Sequence, residues 1–110
     1  YLFFPPYSIL YWDSMSRTGK LHTQIATLEV ASEYFLQYDN VHLYSYITDT
    51  DIIEDLSNYQ DYTHYRPEVN QMMLQGFSTE EYLLTKENYH MIFDQFEKHL
   101  ESFDYDQYFD

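Results

Sequence analysis

The pair of residues best suited to chemistry is an aspartate and a histidine three positions apart, Asp61 and His64. In a tight turn such an aspartate can reach back and accept a hydrogen bond from Nδ1 of the imidazole, which leaves Nε2 to act as a general base. The carboxylate would fix the tautomer and stabilise the imidazolium that forms when a serine hydroxyl gives up its proton. The spacing therefore permits the acid and base half of a catalytic triad.

The same spacing has plainer explanations. Aspartate and histidine occur three residues apart by chance, and a histidine ahead of a helix can simply cap it or form a local hydrogen bond. The placement of the pair, after a predicted strand and just before Pro67, is what favours the catalytic interpretation.

Three further residues are candidates for substrate binding near this pair. Ser8 follows a predicted strand end and a proline pair, and Tyr11 with Trp12 would form an aromatic platform for a sugar ring or an acyl group. The alternatives are a turn hydroxyl for Ser8 and core packing for the two aromatic side chains. Because aromatic residues make up 21% of the chain, core packing is the commoner outcome for any one of them.

A metal site is not indicated. The remaining histidines fall on separate predicted elements without a carboxylate at ligand spacing; they are His22, His42, His90 and His99. The acidic segment lacks the glycine and the final glutamate of a calcium loop; its carboxylates are Asp49, Asp51, Glu54 and Asp55. We expect solvated or half-buried histidines, a solvated acidic face and no cofactor.

The first half of the chain predicts a strand, a helix and a second strand. Residues 1–4 are apolar and end at a proline pair, and we interpret residues 7–13 as a loop. Apolar residues at helical spacing predict a helix over residues 20–38, and β-branched and aromatic residues predict a strand over 41–47. Short joins favour two parallel strands, with any function beyond their C-terminal ends.

The second half predicts the elements that flank the candidate pair. Residues 48–65 are expected to form a long loop, with or without a helical turn at 52–56. Pro67 predicts the start of a short helix that Gly76 closes. A turn or short helix over residues 78–84 is expected next.

The C-terminal segment predicts one longer helix. Thr85 is its expected N-cap, and apolar residues follow on one stripe to about residue 102. The acidic and aromatic tail beyond it shows no period.

Composition limits the class of protein. At 110 residues the chain is one domain, and its 45% hydrophobic content predicts that it folds. The net charge of −14 disfavours nucleic acid and anionic lipid as partners. No segment approaches the length of a membrane span, so we expect no membrane contact from this segment. The chain starts without Met on a strand-like run, which predicts a fragment.

Three segments together resemble the C-terminal part of bacterial SGNH-type (GDSL-like) hydrolases. They are residues 3–8 (FFPPYS), 40–45 (NVHLYS) and 58–65 (NYQDYTHY). In that superfamily an Asp-x-x-His block in a loop before a C-terminal helix supplies the acid and base of a Ser-His-Asp triad. Asp61 and His64 match this block in type, spacing and placement.

The resemblance implies more than the residues alone do. It implies the C-terminal part of a flavodoxin-like parallel sheet with flanking helices, and an esterase or O-acyltransferase acting on an acylated cell-surface glycan or a related ester. It also implies an extracytoplasmic protein anchored by an N-terminal segment. The family's Gly-Asp-Ser block and its oxyanion-hole Gly and Asn have no counterpart here, so the chain alone should be inert.

A second hypothesis about function stays open beside the hydrolase. The chain would otherwise be a non-catalytic acidic α/β module of the cell surface that binds a basic or carbohydrate partner through its tyrosine-rich surface. In either case, the exposed edge of a two-stranded sheet would be covered by a second copy or by the N-terminal portion of the same protein.

Overall fold

A computed structural model describes residues 1–61 and 64–108 as a small α/β structure. The elements in chain order are β1 Leu2–Phe4, α1 Ile9–Arg17, α2 Leu21–Leu36, β2 Leu43–Ser45, α3 Thr50–Ile53, a 3₁₀ turn Leu56–Asn58, α4 Pro67–Thr79, β3 Leu83–Leu84, α5 Tyr89–Ser102 and a 3₁₀ turn Tyr105–Tyr108. The structure therefore confirms the predicted α/β class.

The sheet has three short strands in the order β1-β2-β3. β1 and β2 are parallel, with Phe3 opposite Tyr44, as the strand–helix–strand pattern predicts. β3 pairs antiparallel with β2, with Leu84 opposite Leu43. The predicted turn within residues 78–84 is present at residues 80–82. The segment also holds the last residues of α4 and the two-residue strand β3, which the sequence did not predict.

Both faces of the sheet are covered. Leu43 and Ile47 pack into a core formed with α1, α2 and α5, whereas Tyr44 and Tyr46 pack into a second core with α3 and α4. Alternate residues of a strand point to opposite faces, so β2 and the two residues that follow it divide their side chains between the two cores. This arrangement places β2 in the centre of three layers.

Helix α1 corrects the prediction of a loop over residues 7–13. The Ser8 side chain accepts a hydrogen bond from the Leu10 backbone N–H at 3.0 Å and so caps the helix. Further along α1, Arg17 pairs with the buried Asp13, four residues before it, at 2.8 Å. The capping serine and the pair four residues apart were the signals for a helix, and the loop prediction followed the proline pair before them instead.

Helices α2 and α5 form the main core and confirm the predicted apolar stripes. Ile25 and Leu28 of α2 and Phe93, Phe96 and Leu100 of α5 are all buried. In α2, the polar Ser32 is also fully buried, and its hydroxyl donates to the Leu28 carbonyl at 2.8 Å. The intrahelical bond removes the cost of burying that hydroxyl.

The start of α5 refines the predicted cap. The backbone N–H of Thr85 donates to Asn88 Oδ1 at 2.7 Å, and the Asn88 N–H donates to Thr85 Oγ1 at 3.1 Å. The regular helix begins at Tyr89, one residue after this reciprocal pair. Thr85 thus caps the segment from a position outside the helix.

Helix α4 begins at Pro67 as predicted, but it does not close at Gly76. It continues to Thr79 and ends at Glu80, which adopts a left-handed conformation with φ of 59°. Gly76 serves a different purpose, because the hydroxyl of Tyr46 donates to the Met73 carbonyl and lies against this turn. A Cβ atom at position 76 would lie 2.5 Å from that hydroxyl oxygen.

We expect Gly76→Ala to lower the free energy of unfolding by about 1–3 kcal/mol, because the added methyl group overpacks the Tyr46 contact. In an open helix the same change would stabilise the protein by about 1 kcal/mol, so the sign is diagnostic. Urea denaturation of the chain gives the measurement.

Tyr46→Phe provides the control for this prediction. It removes the nearest atom of the contact, so Gly76→Ala should cost less in the Tyr46→Phe background than in the wild type. An equal cost in both backgrounds would contradict the packing explanation.

Candidate functional site

Asp61 and His64 lie at the turn of a small hairpin rather than in an open loop. Tyr59 and Tyr65 form an antiparallel bridge at its base. The Gln60 N–H donates to the His64 carbonyl at 2.8 Å, and the Arg66 N–H donates to the Asn58 carbonyl at 2.7 Å. Residues 62 and 63, between the pair, lie outside the described residues.

A long-range hydrogen bond fixes this hairpin to the end of the sheet. The buried hydroxyl of Tyr59 donates to the Pro6 carbonyl at 2.5 Å, just after β1 ends. Burial, followed by the nearby Asp49 and Tyr65, raises the pKa of Tyr59 above its ordinary value of 10.0, so the phenol stays a donor. The hairpin is therefore held beyond the C-terminal end of β1, where ligands bind in open α/β sheets.

The contact between Asp61 and His64 has the geometry that the spacing permits. His64 Nδ1 lies 2.8 Å from Asp61 Oδ1 and 2.7 Å from Oδ2, and the His64 backbone N–H donates to Oδ1 at 2.9 Å. The two side chains are 73% and 58% exposed for His64 and Asp61, respectively. A carboxylate on Nδ1 directs the other ring nitrogen, Nε2, to the role of proton acceptor.

Ser8 reaches the same region but serves as a helix cap. It lines a cavity of about 190 Å³ together with Asp61, which agrees with its predicted position near the pair. Its side chain is buried, and its oxygen accepts from the Leu10 N–H. Ser8 thus acts as a helix cap, and its role in substrate binding stays a prediction.

Trp12 does not form part of the predicted platform, because it belongs to α1 and is buried in the core. Trp12 is 0% exposed and meets the ring of Phe96 edge-on at 5.4 Å. Tyr11 is half-buried between Tyr7 and Trp12, at 4.7 and 5.1 Å between ring centroids. Trp12 therefore offers no face on which a sugar could stack, and the binding role of Tyr11 stays a prediction.

One carboxylate that the sequence placed on a solvated face is buried. Asp49 is 7% exposed and caps α3 through the Ile52 N–H at 3.4 Å. Burial raises its pKa above 3.8, and the hydrogen bonds from Tyr82 and Ile52 oppose that rise. It lines a cavity of about 460 Å³ with three other carboxylates, Asp51, Asp55 and Glu81.

Three histidines outside the hairpin each contact a glutamate. His22 contacts Glu97 at 3.2 Å, His90 contacts Glu29 at 3.0 Å and His99 contacts Glu54 at 3.1 Å. Within residues 1–61 and 64–108, no group of three or more His, Asp or Glu side chains is placed to hold a metal ion.

No helix in the described part of the chain is long and apolar enough to cross a membrane. No protein family, curated protein or solved structure matches the chain.

We expect Tyr59→Phe to lower the free energy of unfolding by about 1–3 kcal/mol, because the buried Pro6 carbonyl loses its donor. The hairpin should also open more often, so the Gln60 amide should exchange with solvent faster. Urea denaturation and amide hydrogen exchange measure the two effects.

The matched control is Tyr34→Phe, which alters an exposed tyrosine of α2 and should change stability by less than about 0.5 kcal/mol. Unchanged exchange at Gln60 in the Tyr59→Phe protein would show that the bond does not hold the hairpin.

Asp49→Asn should stabilise the protein at pH 7. The raised pKa of Asp49 means that its ionised form is less favourable in the folded than in the unfolded chain, and this cost is complete above the folded-state pKa. Asparagine still accepts from Tyr82 and Ile52 but does not ionise. The gain should shrink as the pH falls through the raised pKa toward 3.8.

Chemical denaturation between pH 3 and pH 8 measures this dependence. The exposed Asp39→Asn is the control and should show no comparable gain. A gain at position 49 that stays constant across the range would mean that ionisation is not its source.

Proposed function

We propose that this chain is the C-terminal part of an SGNH-type serine esterase or O-acyltransferase and that it supplies the acid and base of a Ser-His-Asp triad. The observation that carries the proposal is the double contact of Asp61 with His64 Nδ1 at 2.7 and 2.8 Å, on a hairpin held beyond the end of a parallel strand. The resemblance of residues 58–65 to the family's Asp-x-x-His block supports it.

In the proposed reaction, a serine Oγ attacks the ester carbonyl carbon while His64 Nε2 accepts the hydroxyl proton. Asp61 stabilises the imidazolium. The ester C–O bond then breaks, and the imidazolium returns the proton to the departing alcohol. Water attacks the acyl-enzyme with His64 again as base and releases the carboxylic acid; in a transferase an acceptor hydroxyl takes the place of water.

The nucleophile in this proposal comes from a Gly-Asp-Ser block outside these 110 residues. Most serines of the chain hold local hydrogen bonds that suit structural roles: Ser8, Ser32, Ser45, Ser57, Ser78 and Ser102. A catalytic serine instead presents its hydroxyl to the base and to an oxyanion hole.

The open edge of β1 supports a larger sheet. Leu2 and Phe4 direct their backbone groups to β2, since the Leu2 N–H donates to the His42 carbonyl and the Phe4 carbonyl accepts from Tyr46, so Phe3 directs its own groups outward. The side chains along this edge are exposed, at 78% for Tyr1 and 41% for Phe3. Such an edge is a template for another strand.

We propose that this strand belongs to the portion of the protein that carries the nucleophile, which would extend the sheet into a flavodoxin-like one. A second copy is the less suitable partner, because each chain carries a net charge of −14 and two copies repel. The proposed substrate is an acylated cell-surface glycan or a related ester, met outside the cytoplasm by a protein anchored through its N-terminal segment.

A different function is favoured by the cavity that Asp49 lines. The carboxylates of this cavity lie beside the rings of Tyr46 and Tyr82, and none of the described residues that line it is a lysine or an arginine. Aromatic faces with carboxylates suit a cationic group. The second candidate function is therefore a non-catalytic acidic module that binds a basic partner.

The test is ester hydrolysis by the full-length protein with p-nitrophenyl acetate. We expect His64→Ala to lower kcat/KM by roughly 10²–10⁴-fold, since it removes the general base. Asp61→Asn should lower it as well, because the neutral amide no longer stabilises the imidazolium. A fluorophosphonate probe should label the full-length wild type and leave the 110-residue chain unlabelled.

His90→Ala is the matched control, since His90 is another exposed histidine whose Nδ1 contacts a carboxylate; it should retain full activity. Undiminished hydrolysis by His64→Ala would refute the catalytic role. A full-length protein without hydrolysis or labelling would favour the acidic binding module.

A further inference from the structure

A separate cavity lies beside the C-terminal end of β2, and none of the described residues that line it belongs to the hairpin. It has a volume of about 320 Å³ and lies between β3, α5 and the residues that follow β2; we call it the α5 cavity. Leu84 and Phe96 of its inner wall are buried, and Ile92 is half-buried. Small organic molecules occupy such cavities, of roughly 300–1,000 Å³, and in α/β sheets they bind at the carboxyl ends of strands.

The rim of the α5 cavity joins a carboxylate to an aromatic ring. Glu81 is exposed there, next to the half-buried Tyr82. The Tyr82 hydroxyl donates to the buried Asp49, and Thr48 Oγ1 donates to the Ser45 carbonyl at 3.2 Å. Because these two hydroxyls are engaged within the protein, the Glu81 carboxylate and the face of the Tyr82 ring are the groups that the rim offers to a charged ligand.

The surroundings of this rim are acidic. The α5 cavity shares Glu81 and Tyr82 with the neighbouring cavity of about 460 Å³, whose further carboxylates are Asp49, Asp51 and Asp55. None of the described residues that line either cavity is a lysine or an arginine. The chain as a whole carries a net charge of −14. The resulting negative potential raises the local concentration of cations.

Charge and size together select the ligand. An anion would be repelled by Glu81, and His99, which also lines the α5 cavity, already contacts Glu54 at 3.1 Å. A sugar would bury hydroxyls against Leu84 and Phe96, which costs free energy. An apolar cavity of roughly 150 Å³ takes one benzene molecule, so about 320 Å³ accommodates a ring with a short chain. A cationic group is attracted by the carboxylate and by the face of the aromatic ring.

We propose that the α5 cavity binds a small amphiphilic amine. Its apolar body lies against Leu84, Ile92 and Phe96, and its ammonium group contacts the Glu81 carboxylate and the Tyr82 ring. This inference rests on the second candidate function, the acidic module with a basic partner. It names the class of that partner and extends the binding site into the adjoining apolar cavity.

The experiment measures dissociation constants by ligand-observed NMR titration of the full-length protein at pH 8. The probes are 4-phenylbutylamine, which is ionised at this pH, 4-phenylbutanol, which lacks the charge, and n-butylamine, which lacks the ring. We expect 4-phenylbutylamine to bind about 10-fold more tightly than 4-phenylbutanol, through the carboxylate and the aromatic face. It should also bind at least about 10-fold more tightly than n-butylamine, through burial of the ring.

Two variants locate the site. Glu81→Gln removes the charge of an exposed side chain and should weaken binding of 4-phenylbutylamine about 10-fold while leaving 4-phenylbutanol unchanged. Gln95→Trp introduces a large side chain from an exposed position of α5 that lines the cavity, and should weaken binding of both probes about 10-fold. Glu80→Gln is the matched control, because the exposed Glu80 lines neither cavity; it should bind both probes as the wild type does.

Far-UV circular dichroism verifies each fold, and Gln95→Phe replaces Gln95→Trp if that variant does not fold. Binding of 4-phenylbutylamine that Glu81→Gln leaves unchanged, or equal binding of 4-phenylbutanol, would overturn the amine site. A dodecalysine peptide separates this failure from that of the underlying function. Binding of the peptide without binding of 4-phenylbutylamine would overturn the amine site alone, and absence of binding by both would overturn the acidic binding module as well.

Discussion

The hydrogen bond from the Tyr59 hydroxyl to the Pro6 carbonyl joins two segments 53 residues apart, and the arrangement of the candidate site depends on it. Pro6 is buried directly after β1, and a buried carbonyl needs a donor. Tyr59 meets that need and thereby holds the hairpin against the end of the sheet. The cavity beside Asp61 exists because the same bond brings the hairpin arm to the capped start of α1.

Around this bond, β2 organises the rest of the molecule. Its alternate side chains enter two cores, and the hydroxyls of Tyr44 and Tyr46 both donate to carbonyls of α4, at Phe77 and Met73. Helix α4 is thereby fixed to the sheet through polar as well as apolar contacts. Because α4 begins at Pro67, this docking also sets the position of the hairpin's second arm.

Three of the acidic side chains that contribute to the net charge of −14 contact histidines. Two of the histidine–glutamate contacts, His22 with Glu97 and Glu29 with His90, join α2 to α5 along the edges of the main core. A third joins α5 to Glu54 after α3. The sequence could indicate none of these three, because their partners lie 75, 61 and 45 residues apart.

What the sequence determined by itself was local. The stripes of α2 and α5 and the pairing of Asp61 with His64 follow from spacings of three or four residues, which fix neighbours on one helix or in one turn. The start of α4 follows from Pro67, whose fixed φ suits the first helical position. Tertiary structure decided the burial of Trp12 and Asp49, the continuation of α4 past Gly76 and the cavity beside Asp61. Each of these results from contact between distant segments, and no short spacing encodes which segments meet.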